Sequence, residues 1–168
     1  MIQPLISTAE IEKIVKNIAA EINAFYQGRD IYMISVLNGS FVFCADLIRK
    51  LNSEVEVTFI TASSYHSTKS SGIVNLDLSK LYVQSLDRDI LIVEDIIDTG
   101  LTLRVLTDRL KEKGAKSIKV ASLLYKKGKN PKVDIDFKGI EIEDQFVVGY
   151  GLDFNGKYRS LPYIGVLN

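Results

Sequence analysis

Between Ile90 and Gly114 the chain spells out a strand, an acidic pair, a tight turn and a helix, and this order constrains the fold more than any other feature. Ile90-Leu91-Ile92-Val93 is an apolar run too short for a buried helix and suited to a strand. Glu94 and Asp95 stand at its C-terminal edge, and Asp98-Thr99-Gly100 turns the chain into a helix from about Leu101 to Lys113. Gly114 occupies the position expected of a helix C-cap.

The pattern recurs. Ser7 to Phe25 carries Ile11, Ile14, Val15, Ile18 and Ile22 at helical spacing, with Ser7 and Glu10 as a capping box. Ile31 to Leu37 is a second apolar strand, broken by Asn38-Gly39-Ser40, after which Phe41 to Leu51 reads as a helix. Val55 to Thr61 is β-branched and alternating, Ile118 to Tyr125 is a further strand, and Phe146-Val147-Val148 is a short one. Strands separated by helices predict an α/β fold: a central, mostly parallel sheet with right-handed crossovers and helices on both faces. At 168 residues, with no Pro/Gly-rich linker and no internal repeat, residues 1–168 are expected to form a single domain.

Composition narrows the classes. Lys and Arg number 21 against 21 for Asp and Glu, so the molecule has no overall field to draw nucleic acid. Any polyanion must be held by local amides, placed cations or a metal. One cysteine, Cys44 beside Phe43 and Ala45, excludes an internal disulfide and reads as a small core residue. No apolar run approaches the length of a bilayer-spanning helix, and Met1 to Ile6 lacks the basic start and apolar core of a signal peptide. No membrane association and a cytoplasmic location are the expectations. Ser63 to Gly72 is too polar for core and too long for a tight turn, which suits a mobile loop or a lid. His66, the only histidine, belongs to that segment.

Open α/β sheets bind ligands at the carboxyl ends of their strands, which is where Glu94 and Asp95 lie. Gly100 permits a sharp turn, and the amides of Thr99, Gly100, Leu101 and Thr102 at a helix N-terminus suit a phosphate. Carboxylates and a phosphate site make sense together when one ligand carries a phosphate at one end and hydroxyls or a metal at the other. A ribose 5-phosphate has that form. The alternative is that Asp98 or Thr99 merely caps the helix and the acidic pair is strand-end charge. Asp-Thr-Gly occurs once, whereas aspartic proteases pair two aspartates, and neither a Walker loop nor a Gly-x-Gly-x-x-Gly fingerprint is present.

Val93 to Thr102 resembles the phosphoribosyl pyrophosphate signature of type I phosphoribosyltransferases, in the form used by the hypoxanthine-guanine branch, and the likeness extends from about Asp30 to Leu167. The resemblance implies ribose contacts from Glu94 and Asp95, a 5-phosphate loop from Asp98 to Thr102, and Asp98 as the group that handles the purine proton. Leu37-Asn38-Gly39-Ser40 resembles the pyrophosphate loop, although many relatives have Lys where this chain has Asn38. Ser64 and Tyr65 match the Ser-Tyr pair of a flexible lid over pyrophosphate, here spanning about 63–75. Arg159 matches an arginine that contacts pyrophosphate.

The segment from about 126 to 168 is similar to the small hood that holds the base. Lys126 would donate to the purine 6-oxo group, Phe146 would stack on the ring, and Val147 would meet the base edge through its backbone. Asp153, beside the base, matches a carboxylate associated with a second magnesium, so Glu94, Asp95 and Asp153 are the implied Mg2+ residues. The implied partners are phosphoribosyl pyrophosphate, a 6-oxopurine and pyrophosphate, in a homo-oligomer of two or four chains. The implied reaction is purine salvage by pentosyl transfer to hypoxanthine, and also guanine. A xanthine- or uracil-preferring relative, a phosphoribosyl pyrophosphate-sensing regulator, and a non-catalytic ligand-binding domain are the competing readings.

Overall fold

A computed structural model describes residues 2–64, 74–78, 81, 87–129, 131 and 133–167. In chain order its elements are β1 (Ile2–Ile6), α1 (Thr8–Tyr26), β2 (Ile31–Leu37), α2 (Phe41–Ile48), β3 (Val55–Ser64) and β4 (Val74–Leu76). They continue as β5 (Asp89–Ile97), α3 (Leu101–Glu112), β6 (Ser117–Lys126), β7 (Phe137–Ile142), β8 (Val147–Val148) and β9 (Ile164–Leu167). The main sheet has the order β4-β3-β2-β5-β6-β7; β3, β2, β5, β6 and β7 run parallel, and β4 is antiparallel to β3.

Side-chain alternation sorts the central strands onto two cores. Ile31, Met33, Leu91 and Val93 pack with α1 and α2, while Tyr32, Ile34, Ile90 and Ile92 pack with α3. Because both faces are covered, these strands are apolar throughout, as the sequence pattern predicts. Each fully buried Ile, Leu or Phe here contributes roughly 1.5–3 kcal/mol relative to exposure. Cys44 is part of the first core: its Sγ lies 3.7 Å from Met33 Sδ, and burial pushes its thiol pKa up.

The helix ends carry the expected caps. Glu10 N–H donates to Ser7 Oγ at 3.3 Å and Ser7 N–H donates to Glu10 Oε2 at 2.8 Å, closing the capping box. Gly114, at φ 87°, lets its own N–H reach Lys111 O and that of Ala115 reach Leu110 O, a Schellman ending to α3. Helix α2 stops at Ile48, one turn short of the expected Leu51.

A second sheet, β1-β9-β8, is antiparallel and was not foreseen beyond the Phe146–Val148 segment. It shares the α1/α2 core through Ile6, Val147 and Ile164, and Thr8 Oγ1 ties it to α1 by donating to Pro162 O at 2.9 Å. No helix among the described residues is long and apolar enough to cross a membrane.

Candidate active site

Following the chain from β2 leads outward to β3, whereas from β5 it leads the opposite way to β6, so the winding reverses between β2 and β5. Such a reversal leaves a crevice at the carboxyl ends of the two strands. Here the β2–β5 pairing ends at Ser35↔Val93, but β5 stays paired with β6 as far as Ile97↔Tyr125. The two strands therefore diverge immediately before Glu94. A cavity of about 310 Å³ opens there, lined by Leu37–Gly39, Glu94–Asp98 and Thr99–Leu103. It adjoins a second of about 410 Å³ that adds Lys126, Phe146, Val147, Asp153 and Arg159.

The acidic pair is not at the strand edge as expected. It lies within β5, because pairing with β6 carries the strand on to Ile97. Glu94 is 9% exposed and Asp95 7%. Asp95 Oδ1 accepts from the Ile96 N–H at 2.9 Å, and its other oxygen rests where a side chain on residue 39 would be: a Cβ on Gly39 would sit 1.6 Å from Asp95 Oδ2. Gly39 is therefore glycine by contact.

Burial, and then the charge of Asp95, push the Glu94 carboxyl well above the ordinary carboxylate range. Burial also raises Asp95, against the lowering effect of its hydrogen bonds with Glu94 and the Ile96 amide and of the Arg159 charge. A carboxyl whose folded pKa exceeds its unfolded value favours the folded state below the unfolded pKa and loses that advantage as pH rises through the folded pKa. Glu94→Gln is accordingly expected to raise the melting temperature of the ligand-free protein at pH 8 by about 2–4 °C, for about 1 kcal/mol of relieved burial. The gain should vanish below about pH 4, where the glutamate is neutral in both states. Melts that coincide at every pH would show that the pair carries no such cost.

The turn after β5 has the expected form, with a different cap. Gly100, at φ 69°, is the N-cap of α3 and has no side chain to cap the helix, and Asp98 is not spent on that task. Thr99 Oγ1 accepts a long 3.4 Å contact from the Leu101 N–H, and the amides at this helix start line the smaller cavity.

The pyrophosphate-loop candidates are braced from below and above. Ser40 Oγ lies 2.7 Å from Ser35 Oγ and donates to Val36 O, which ties the start of α2 back to β2. The Leu37–Asn38 peptide is cis. Above, Gly151 at φ 98° packs so closely that a Cβ would lie 2.2 Å from Gly39 O. Arg159 Nη1 donates to Gly151 O at 2.6 Å, and its Nη2 pairs with Asp153 Oδ1 at 2.8 Å. Arg159 and Asp153 thus reach the same cavity as Asn38 through a stack of two glycines.

On the hood side, Phe146 is 52% exposed over the larger cavity, its ring edge-on to Phe154 at 5.6 Å. Its carbonyl accepts from the Leu167 N–H at 3.1 Å, and Val147 pairs with Val166. Lys126 Nζ lies 3.5 Å from Asp98 Oδ2 and 2.9 Å from Asp144 Oδ1. Ser64 ends β3 opposite Val74; Tyr65, His66 and the lid as far as Gly72 lie outside the described residues. Sequence reasoning missed Phe154, Lys129 and Asp144, and took in Ser40 and Gly151 only as members of the loop and hood segments, with no task of their own. Only Gly151, in a Gly-Tyr-Gly run, carried a local signal of special backbone; the others matter through contacts distant in sequence.

Among the described residues no three His, Cys, Asp or Glu side chains gather into a metal cage. The buried Glu94–Asp95 pair nevertheless fits a hard divalent cation that takes most of its oxygens from ligand and water, which is how Mg2+ binds.

The sequence model of the phosphoribosyl transferase domain matches residues 5–155, and the chain belongs to that family. Its relatives point to one branch. It is 48% identical to the hypoxanthine-guanine phosphoribosyltransferase of Bacillus subtilis over 97% of this chain and 91% of that one. It is 41% identical to the enzyme of that name from Streptococcus pneumoniae, with the same coverage. The crystal structure of a hypoxanthine-guanine phosphoribosyltransferase from Bacillus anthracis superposes with a TM-score of 0.90 at 41% identity, covering 99% of this chain and 98% of that one.

Proposed function

We propose that this protein transfers the phosphoribosyl group of phosphoribosyl pyrophosphate to N9 of a 6-oxopurine, hypoxanthine and guanine, releasing pyrophosphate in purine salvage. The observation that carries the reading is the shared crevice. It joins an acidic pair, a glycine turn at a helix start and Asp98 to Lys126, Phe146 and Arg159. No other region of the described residues combines a sugar-phosphate site with an exposed aromatic ring and a lysine.

In this reading Glu94 and Asp95 accept hydrogen bonds from the ribose hydroxyls, and the amides of Thr99 to Thr102 hold the 5-phosphate. Leu37, Asn38, Gly39 and Arg159 hold the pyrophosphate, with Ser64 and Tyr65 closing over it; a planar guanidinium suits phosphate oxygens. Phe146 stacks on the purine, Val147 meets its edge, and Lys126 donates to the 6-oxo group, where adenine presents an amino group instead. The bond from ribose C1 to pyrophosphate breaks as the bond from C1 to N9 forms. The proton lost by the base passes to Asp98.

Glu94, Asp95 and Asp153 are the residues that would hold Mg2+ through the ligand's oxygens. When bound, the ion offsets the negative charge of the pyrophosphate. Asn38 supplies no cation at the pyrophosphate loop, which leaves the positive charge there to Arg159, on the same cavity. We assign residues 1–168 to one phosphoribosyltransferase domain acting in the cytoplasm as a homo-oligomer of two or four chains, by likeness to the family.

The test is direct. Supplied with phosphoribosyl pyrophosphate, Mg2+ and single nucleobases, the protein is expected to form nucleotide with hypoxanthine and guanine and far less with adenine or uracil. Absence of turnover with hypoxanthine, guanine and xanthine alike would overturn the proposal.

A further inference from the structure

Asp98 does not face Lys126 alone. Lys129 Nζ lies 3.6 Å from Asp98 Oδ1, just as Lys126 Nζ lies 3.5 Å from Oδ2. Both ammonium groups make their short contacts elsewhere, to the two oxygens of Asp144: Lys126 at 2.9 Å and Lys129 at 2.8 Å. Four charges of alternating sign therefore form a closed ring. The ring joins the start of the β5–α3 turn, the end of β6 with the turn after it, and the turn between β7 and β8.

The distances decide which carboxylate holds the lysines. Coulomb attraction varies inversely with separation, so in common surroundings Lys126 is drawn to Asp144 roughly a fifth more strongly than to Asp98, and Lys129 roughly three tenths more strongly. Only the Asp144 contacts are short enough to be charge-assisted hydrogen bonds. The bonds to Lys129 and Lys126 hold the Asp144 carboxyl down at about 2, so it keeps its charge throughout the neutral range. Asp98 Oδ1, by contrast, is buried and accepts no hydrogen bond.

We propose that Asp144 is a positioning residue that holds the ammonium groups of Lys126 and Lys129 off Asp98. Lys126 thereby stays aimed at the base, and the Asp98 carboxylate stays free of a short charge-assisted bond and able to take the proton. The proposal rests on the functional reading above, which assigns Lys126 and Asp98 their tasks. Without the Asp144 charge, Asp98 is the one carboxylate left within 4 Å of either lysine among the described residues. A shift of less than 1 Å would then bring each to hydrogen-bond distance (about 2.8 Å). Asp98 would become a poorer proton acceptor, and Lys126 would leave the base.

Asp144 is half-exposed on a turn, so Asp144→Asn is expected to fold, and Asp144→Ser serves should it not. The expected result is about a tenfold fall in kcat and a several-fold rise in KM for hypoxanthine, with KM for phosphoribosyl pyrophosphate within about twofold of wild type. Asp144→Glu should recover most of the loss. Adding Lys129→Met to Asp144→Asn should recover a fraction of kcat, because it removes one of the two cations competing for Asp98; a merely structural role would not respond in that way. Kinetics of Asp144→Asn within twofold of wild type would overturn the proposal while leaving the functional reading intact. So would a loss that persists both in Asp144→Glu and in the double variant with Lys129→Met. A wild-type protein inert toward every oxopurine would overturn the functional reading, and this proposal with it.

Discussion

Asp98→Asn is expected to lower kcat by about 10²–10⁴-fold, the range that a positioned proton-transfer group supplies. The amide has nearly the shape of the carboxylate and can still accept a hydrogen bond, but it does not take up a proton at neutral pH. The fold should survive, because the side chain is half-exposed, caps no helix and makes no contact with the lysines shorter than 3.5 Å. Asp144 would still hold Lys126 in place, so KM for the base should change little. Steady-state kinetics with hypoxanthine, together with a melting curve, separates the chemistry from the scaffold. An unchanged kcat would remove Asp98 from the proton step.

A comparable loss is expected from a single methyl group. In Gly39→Ala the new Cβ would lie 1.6 Å from Asp95 Oδ2 and 2.7 Å from its Cγ, far inside any allowed contact. Relief in one direction requires the buried Asp95 carboxylate to swing away from the Ile96 amide. Relief in the other requires the loop to rise, where Gly151 is already packed against Gly39 O. Either movement displaces a group by about 1 Å or more, and a misplacement of that size costs about 10²-fold in a preorganised site. We expect kcat/KM for phosphoribosyl pyrophosphate to fall by at least that factor, with about 1–3 kcal/mol of overpacking strain on stability. A Gly39→Ala protein with wild-type kcat/KM would mean that the pyrophosphate loop does not belong to the site.

The local grammar of the chain was legible. Ser7 and Glu10, Gly114, and the apolar runs at Ile31–Leu37 and Ile90–Val93 act over a few residues, and each formed the element its chemistry favours. The strands of the hood were not legible from local pattern, and that segment was found only through its resemblance to the family. Strand β9 is four residues long with Gly165 inside it, where a Cβ would lie 2.5 Å from Ile2 Cγ2, and its strand character comes from pairing with β1 at the opposite end of the chain. Strand β7 was hidden in the same way: Gly139 interrupts its pattern, yet that glycine lets it lie against the β6 backbone.

The acidic pair marks the boundary between the two kinds of information. Side-chain chemistry and spacing alone pointed to Glu94, Asp95 and the Gly100 turn as a candidate site for sugar and phosphate, because those properties travel with the residues. That the carboxylates are buried, that Gly39 must lack a side chain to admit Asp95, and that Asp98 stands in a ring with Lys126, Lys129 and Asp144 were decided by the fold. Burial, charge pairing and close approach depend on what a distant stretch of the chain places within a few ångströms, and no local pattern encodes that distance.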